Sequence, residues 1–135
     1  MNKLNPLADE QGLLFKLNGN PNNNNSSLVE VRHDATTGTV QIWSKSPDSG
    51  WVLHGAVNAA INPGDVLGGR VQTNGTVSVF QDSTLIGSTN LRSGPTPWSE
   101  AYISGGGQLG VRFIGPSFAT PNDARFDDFG GGDMP

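Results

Sequence analysis

The stretch Arg70-Val71-Gln72-Thr73-Asn74-Gly75-Thr76-Val77-Ser78-Val79-Phe80-Gln81 decides the fold class. Asn-Gly at its centre is the dipeptide that best tolerates the positive φ angles of a tight β-hairpin turn. On the C-terminal side, Val77 and Val79 alternate with Thr76, Ser78 and Phe80, the two-residue period of a strand with one buried face. Two strands are therefore predicted, Arg70–Thr73 and Thr76–Gln81, joined by a two-residue turn. The first extends back to Val66 and is softened by Gly68 and Gly69.

The same grammar extends in both directions. Upstream, Asn62-Pro63-Gly64-Asp65 is a strong turn signal. Val40 and Ile42 alternate with Gln41 and Trp43, and Ser46-Pro47-Asp48-Ser49-Gly50 separates them from a strand at Trp51–Gly55. Thr37-Gly38 is a tight turn, preceded by alternating Val29, Val31 and His33. Gly19–Ser26, with four consecutive Asn, has no periodicity and is a loop. Leu13, Phe15 and Leu17 alternate before it. Downstream, Asp82-Ser83 marks another two-residue turn ahead of Leu85-Ile86-Gly87. Ser93–Pro97 is a loop, and Gly105-Gly106-Gly107 precedes Leu109, Val111 and Phe113. A last strand, Ala124–Phe129, stops at a glycine run. About nine short strands at roughly ten-residue spacing predict an all-β, antiparallel two-sheet sandwich, with a small up-and-down barrel as the alternative. Its inner face is assigned to Leu13, Phe15, Leu17, Val29, Val31, Val40, Ile42, Val77, Val79, Leu109, Val111 and Phe113.

Composition narrows the function classes. A chain of 135 residues accommodates one domain, placed at 11–132, with an N-terminal extension (1–10) and a C-terminal tail (133–135). Hydrophobic residues make up only 34%, offset by 19 Gly and 9 Pro, which suits turns rather than helices. The formal net charge is −4, and eight Lys and Arg are scattered without a cluster. That argues against a nucleic-acid partner, whose phosphates need concentrated cations. There is no Cys, so neither a disulfide framework nor a thiolate metal site is available. No apolar run reaches the roughly 18 residues of a membrane helix. Met1–Gln11 carries no apolar core of a signal peptide, and the compartment stays open.

In order, Gln11-Gly-Leu-Leu-Phe, Val29-Glu-Val-Arg-His-Asp, Val40-Gln-Ile-Trp, Asn74-Gly-Thr-Val-Ser-Val, Gly107-Gln-Leu-Gly-Val and Ala124-Arg-Phe-Asp-Asp-Phe-Gly-Gly-Gly resemble the concanavalin-A-like (laminin-G-like) jelly rolls of secreted bacterial proteins. The resemblance spans about Gln11 to Gly132. It implies a jelly roll that binds or degrades glycans. It also implies that opening strands are missing, which would leave a bare edge; a symmetric partner would cover it, so a homodimer is expected. Such modules often hold a structural calcium near the closing strand. Asp127 and Asp128 are the candidate ligands, helped by Asp65, Asp123 or the Asn22–Asn25 loop. The competing expectation is that one Asp caps a turn or pairs with Arg125 or Arg112. No other cofactor is expected.

Hydrolysis needs two apposed carboxylates. The pattern of the jelly-roll hydrolases, Glu-x-Asp-x-x-Glu, is absent. Glu30-x-Arg32-x-Asp34 places an arginine between the acids on one strand face, so a solvent-facing ion-pair ladder is expected instead. The lyases of this fold use an Arg, Gln-x-His and Tyr set, which the single tyrosine, Tyr102, and the lack of Gln-x-His do not match. His33 falls on the apolar face as a hydrogen-bonded core or edge residue. No catalytic residue is assigned. Trp43 points away from the inner face, beside Gln41, with Glu30 and Arg32 on the neighbouring strand. Arg70, Gln72 and Phe80 are expected to join that face. Trp51 and Trp98 are further aromatic candidates. The expected function is a non-catalytic, lectin-like glycan-binding module. A self-associating structural protein is the alternative, and a polysaccharide-degrading enzyme ranks last.

Overall fold

A computed structural model describes residues 10–62 and 64–114. The strands are β1 (Glu10–Asn18), β2 (Ser27–Asp34), β3 (Thr39–Ser46), β4 (Gly50–Asn58), β5 (Leu67–Val71), β6 (Thr76–Gln81), β7 (Thr84–Asn90) and β8 (Gln108–Ile114). A single five-residue helix, α1 (Glu100–Ser104), precedes β8. It is the one departure from the all-strand expectation among the described residues, and none there is long and apolar enough to cross a membrane. The strands form two antiparallel sheets, β4-β3-β2-β1-β8 and β5-β6-β7. The chain thus meanders through four strands, crosses to build the second sheet, and returns to pair β8 with β1.

Turn chemistry sets the registers. Gly38 (φ 65°) and Gly50 (φ 66°) take left-handed backbone at the β2–β3 and β3–β4 turns. Asp34 accepts the Thr36 N–H, and the Ser46 hydroxyl accepts the Ser49 N–H. The β6–β7 turn has positive φ at both Asp82 (50°) and Ser83 (68°), the two-residue geometry that matches strand twist. The opening hairpin differs from its prediction. The Gly75 N–H bonds to the Gln72 carbonyl, and Gly75 alone takes φ 86°. Thr73-Asn74 is therefore the turn centre, Gly75 is the following left-handed residue, and β5 ends at Val71.

The core lies between the sheets. Leu13, Val29, Val31, Val40 and Ile42 meet Leu67, Val77 and Val79, with Phe15 packed against them. Glycines in β5 make room: a Cβ on Gly69 would lie 2.7 Å from Phe15 Cζ and 3.2 Å from Val31 Cγ2. Ile61, Leu91, Trp98 and Ile103 complete the cluster from loops and α1, positions that strand periodicity does not single out.

Three of the residues assigned to the inner face are not buried there. Leu17 joins Leu14 and Leu28 on the opposite face, packed with Trp51. Lys16 (φ 50°) is a bulge at which β1 shifts register against both neighbours, and one extra residue reverses the alternation. The Lys16 ammonium reaches the Ile103 and Gly105 carbonyls, 2.6 Å from each, at the end of α1. Leu109 and Val111 are 37% and 38% exposed rather than buried, because β8 lies at the side of the five-stranded sheet that the described second sheet leaves partly uncovered. The closing strand Ala124–Phe129 lies outside the described residues.

Candidate functional site

The outward face of the five-stranded sheet carries a cluster of charge and indole rings. Its rows follow from register: Trp43 opposes Glu30, which opposes Leu14; Gln41 opposes Arg32, which opposes Gly12, which opposes Arg112; and Trp51 opposes Lys45, which opposes Leu28. Gly12 is the opening in this surface. A Cβ there would sit 2.9 Å from Glu30 Cγ and 3.0 Å from Cδ, so the missing side chain leaves space for the Glu30 carboxylate.

Two guanidiniums close over that carboxylate. Arg32 donates from Nε to Oε1 (3.3 Å) and from Nη2 to Oε2 (3.1 Å), and Arg112 donates from Nη1 to Oε2 (3.3 Å). Glu30 is 1% exposed. The ladder predicted on this face is therefore buried rather than solvent-facing. Its Asp34 end goes elsewhere, accepting the Thr36 and Thr37 N–H groups and a Gln41 amide. Arg32 lies 4.8 Å from the Trp43 ring and 5.3 Å from Trp51, and Arg112 lies 5.1 Å from Trp51. Both are within cation–π range. The two indoles meet edge to face at 6.3 Å, and Trp43 Nε1 donates to Gln41 Oε1 at 2.8 Å. Trp43 is thus committed to the protein on several sides.

Beside Trp51 the surface opens into a pocket of about 440 Å³, with Asn22, Asn24, Lys45, Trp51 and Arg112 among its walls. This size falls within the range of small-molecule sites, about 300–1,000 Å³. The Lys45 ammonium anchors its rim. It donates to the Pro21 carbonyl (2.9 Å), the Asn23 carbonyl (2.9 Å) and the Ser26 hydroxyl (3.1 Å). Burial, and then the nearby charge of Arg112, lower its proton affinity below that of an ordinary lysine. Within the loop, the Asn20 and Asn23 side chains accept the N–H groups of Asn22 and Asn25, while the Asn22 and Asn24 amides are exposed.

Of the residues singled out by sequence, Glu30, Arg32, Gln41 and Trp43 come together here. Arg70, Gln72 and Phe80 do not. They belong to the three-stranded sheet or its turn, where Arg70 lies 5.7 Å from the Phe80 ring, because β5 and β6 follow the crossover to the other layer. Trp98 is core, 3% exposed, bonded to the Lys45 carbonyl and stacked on Tyr102. Sequence reasoning assigned Arg112 only a pairing with a terminal aspartate and gave Lys45 and Gly12 no role. The signal for Lys45 was its two-residue spacing from Trp43, which places both on one strand face.

His33 is buried as expected, but among the described residues its Nδ1 has no hydrogen-bond partner, and neither has the side chain of Gln11, its cross-strand neighbour. Burial lowers the proton affinity of His33, partly offset by Asp34. Asp127, Asp128 and Asp123 lie outside the described residues. Asp65 is engaged by the Asn62 N–H and the Gln81 amide, which hold its carboxyl below the usual range. The loop carbonyls of Pro21 and Asn23 already face the Lys45 ammonium. Comparison with protein-family models, with curated proteins and with solved structures finds no match to this chain.

Proposed function

We propose that this chain is a non-catalytic glycan-binding module of the concanavalin-A-like jelly-roll kind that its sequence resembles, with the ligand seated in the pocket beside Trp51. One observation carries the proposal. A half-buried indole, two asparagine amides and an arginine with only one nitrogen engaged among the described residues share one open pocket of about 440 Å³. A pyranose presents just the complementary surfaces: an apolar C–H face for the ring and hydroxyls for planar polar groups. Trp43, Arg32 and Glu30 serve as the scaffold behind this platform. Glu30 also supports the non-catalytic assignment: two guanidiniums pin it beneath the surface, where it cannot trade a proton with a glycosidic oxygen.

A glycan array probed with the native protein and with Trp51→Ala tests this. Retained hits in the native protein that vanish in W51A support the site. Hits unaffected by W51A, or no hits, reject it. Self-association is the second proposal, favoured by the exposed Leu109 and Val111 on β8. Light scattering that gives a monomer at micromolar concentration rejects it.

A further inference from the structure

The pocket has a marked charge asymmetry. Lys45 and Arg112 both line it, and no carboxylate does so among the described residues. Lys45 donates only to two carbonyls and a hydroxyl, which satisfy its hydrogens without cancelling its charge. Arg112 uses one nitrogen, Nη1, toward Glu30, and that acid is shared with Arg32. Arg112's other donors have no protein acceptor among the described residues, and its side chain is 21% exposed at the pocket wall. Two cations thus converge on one open volume in a chain whose formal net charge is −4. Such a cavity stabilises an incoming anion, since low-dielectric walls focus the field.

We infer that the pocket selects acidic glycans, with a sugar carboxylate or sulfate ester received by Arg112 near Lys45 while the ring stacks on Trp51; this rests on the glycan-binding proposal. The planar guanidinium fork suits an oxyanion with two oxygens in one plane. The Lys45 ammonium is held back by the loop carbonyls and acts through its field. Burial first, and the charge of Arg112 second, lower the proton affinity of Lys45. The exposed asparagine amides at the rim accommodate the neighbouring hydroxyls.

The test uses the intact chain on an array holding carboxylated, sulfated and neutral glycans, followed by titration calorimetry of the hits. Oligogalacturonate and its methyl ester form a matched pair, since esterification removes the charge and keeps the ring. Acidic glycans are expected to dominate, with affinity falling steeply with salt. Arg112→Gln should weaken acidic hits about tenfold or more, the effect of losing one charge-assisted hydrogen bond. Because Arg112 also holds Glu30, R112Q is first checked by thermal melt, and the salt series on the native protein is an independent readout. Hits confined to neutral glycans and lost in W51A overturn the acidic selectivity and leave glycan binding standing. Acidic hits indifferent to both salt and R112Q overturn it as well. No hit of any class removes both proposals.

Discussion

Replacing Glu30 by glutamine tests whether the buried carboxylate organises the outward face. The side chain keeps its shape and loses its charge. In the native protein it accepts three guanidinium hydrogen bonds at 3.1–3.3 Å and is 1% exposed, so water cannot substitute. In E30Q at least one donor faces an amide NH₂ instead of an oxygen. Breaking a buried pair by altering one partner costs about 3–5 kcal/mol. Arg112, at 21% exposure, can turn toward water and recover part of this, so a loss of about 2–4 kcal/mol is expected. For a chain of this size that is roughly a 10 °C fall in Tm. Urea denaturation at neutral pH measures it, with an unchanged m-value required for a clean comparison. The exposed pair Arg92–Glu100 is the control, and Glu100→Gln should leave the midpoint where it was. A loss below about 1 kcal/mol in E30Q would refute the view that this ion cluster sets the platform.

Three further outcomes follow from particular contacts. Gly69→Ala should destabilise by about 1–3 kcal/mol through overpacking, because its Cβ would meet Phe15 Cζ at 2.7 Å; Phe15→Leu in the same chain should recover part of the urea midpoint, and no recovery would contradict this contact. Lys45→Met should cost about 1.5–3 kcal/mol and speed amide exchange at Ser26, whose N–H bonds to the Asn23 carbonyl that Lys45 holds; unchanged exchange would remove Lys45 as the anchor of the loop. His33 and His54 both have proton affinities lowered by burial, so the unfolded chain takes up protons first as pH falls below about 6.5. Stability should therefore be level above that pH and decline below it. His33→Leu should flatten the decline measured by thermal melts, and an identical slope in H33L would clear this histidine.

Much of the architecture is local and was legible in the chain. Two-residue alternation located Val29, Val31, Val40, Ile42, Val77 and Val79 on the inner face, and the turn residues placed most strand boundaries. Alternation also put Glu30, Arg32, Gln41 and Trp43 on one outward surface, since adjacent antiparallel strands align their faces. At Leu17 periodicity failed through one non-repeating backbone event. The bulge at Lys16 sent Leu17 to the other face, and no composition rule marks a lysine at φ 50°. Which layer a strand enters was equally hidden. Arg70 and Gln72 have the chemistry expected of the site, yet the crossover after β4 carries them to the second sheet.

The sequence by itself determined the all-β class, the antiparallel two-sheet arrangement and the polar face around Trp43, because these depend on side-chain period and turn angles between near neighbours. The tertiary structure decided the pocket. Lys45, Trp51 and Arg112 stand on β3, β4 and β8, and Arg112 lies far along the chain from the other two. They converge because β8 returns to pair with β1, and because Gly12 leaves a gap through which Arg112 reaches Glu30. Neither the pairing partner of a late strand nor a space made by a missing side chain is encoded in any local pattern.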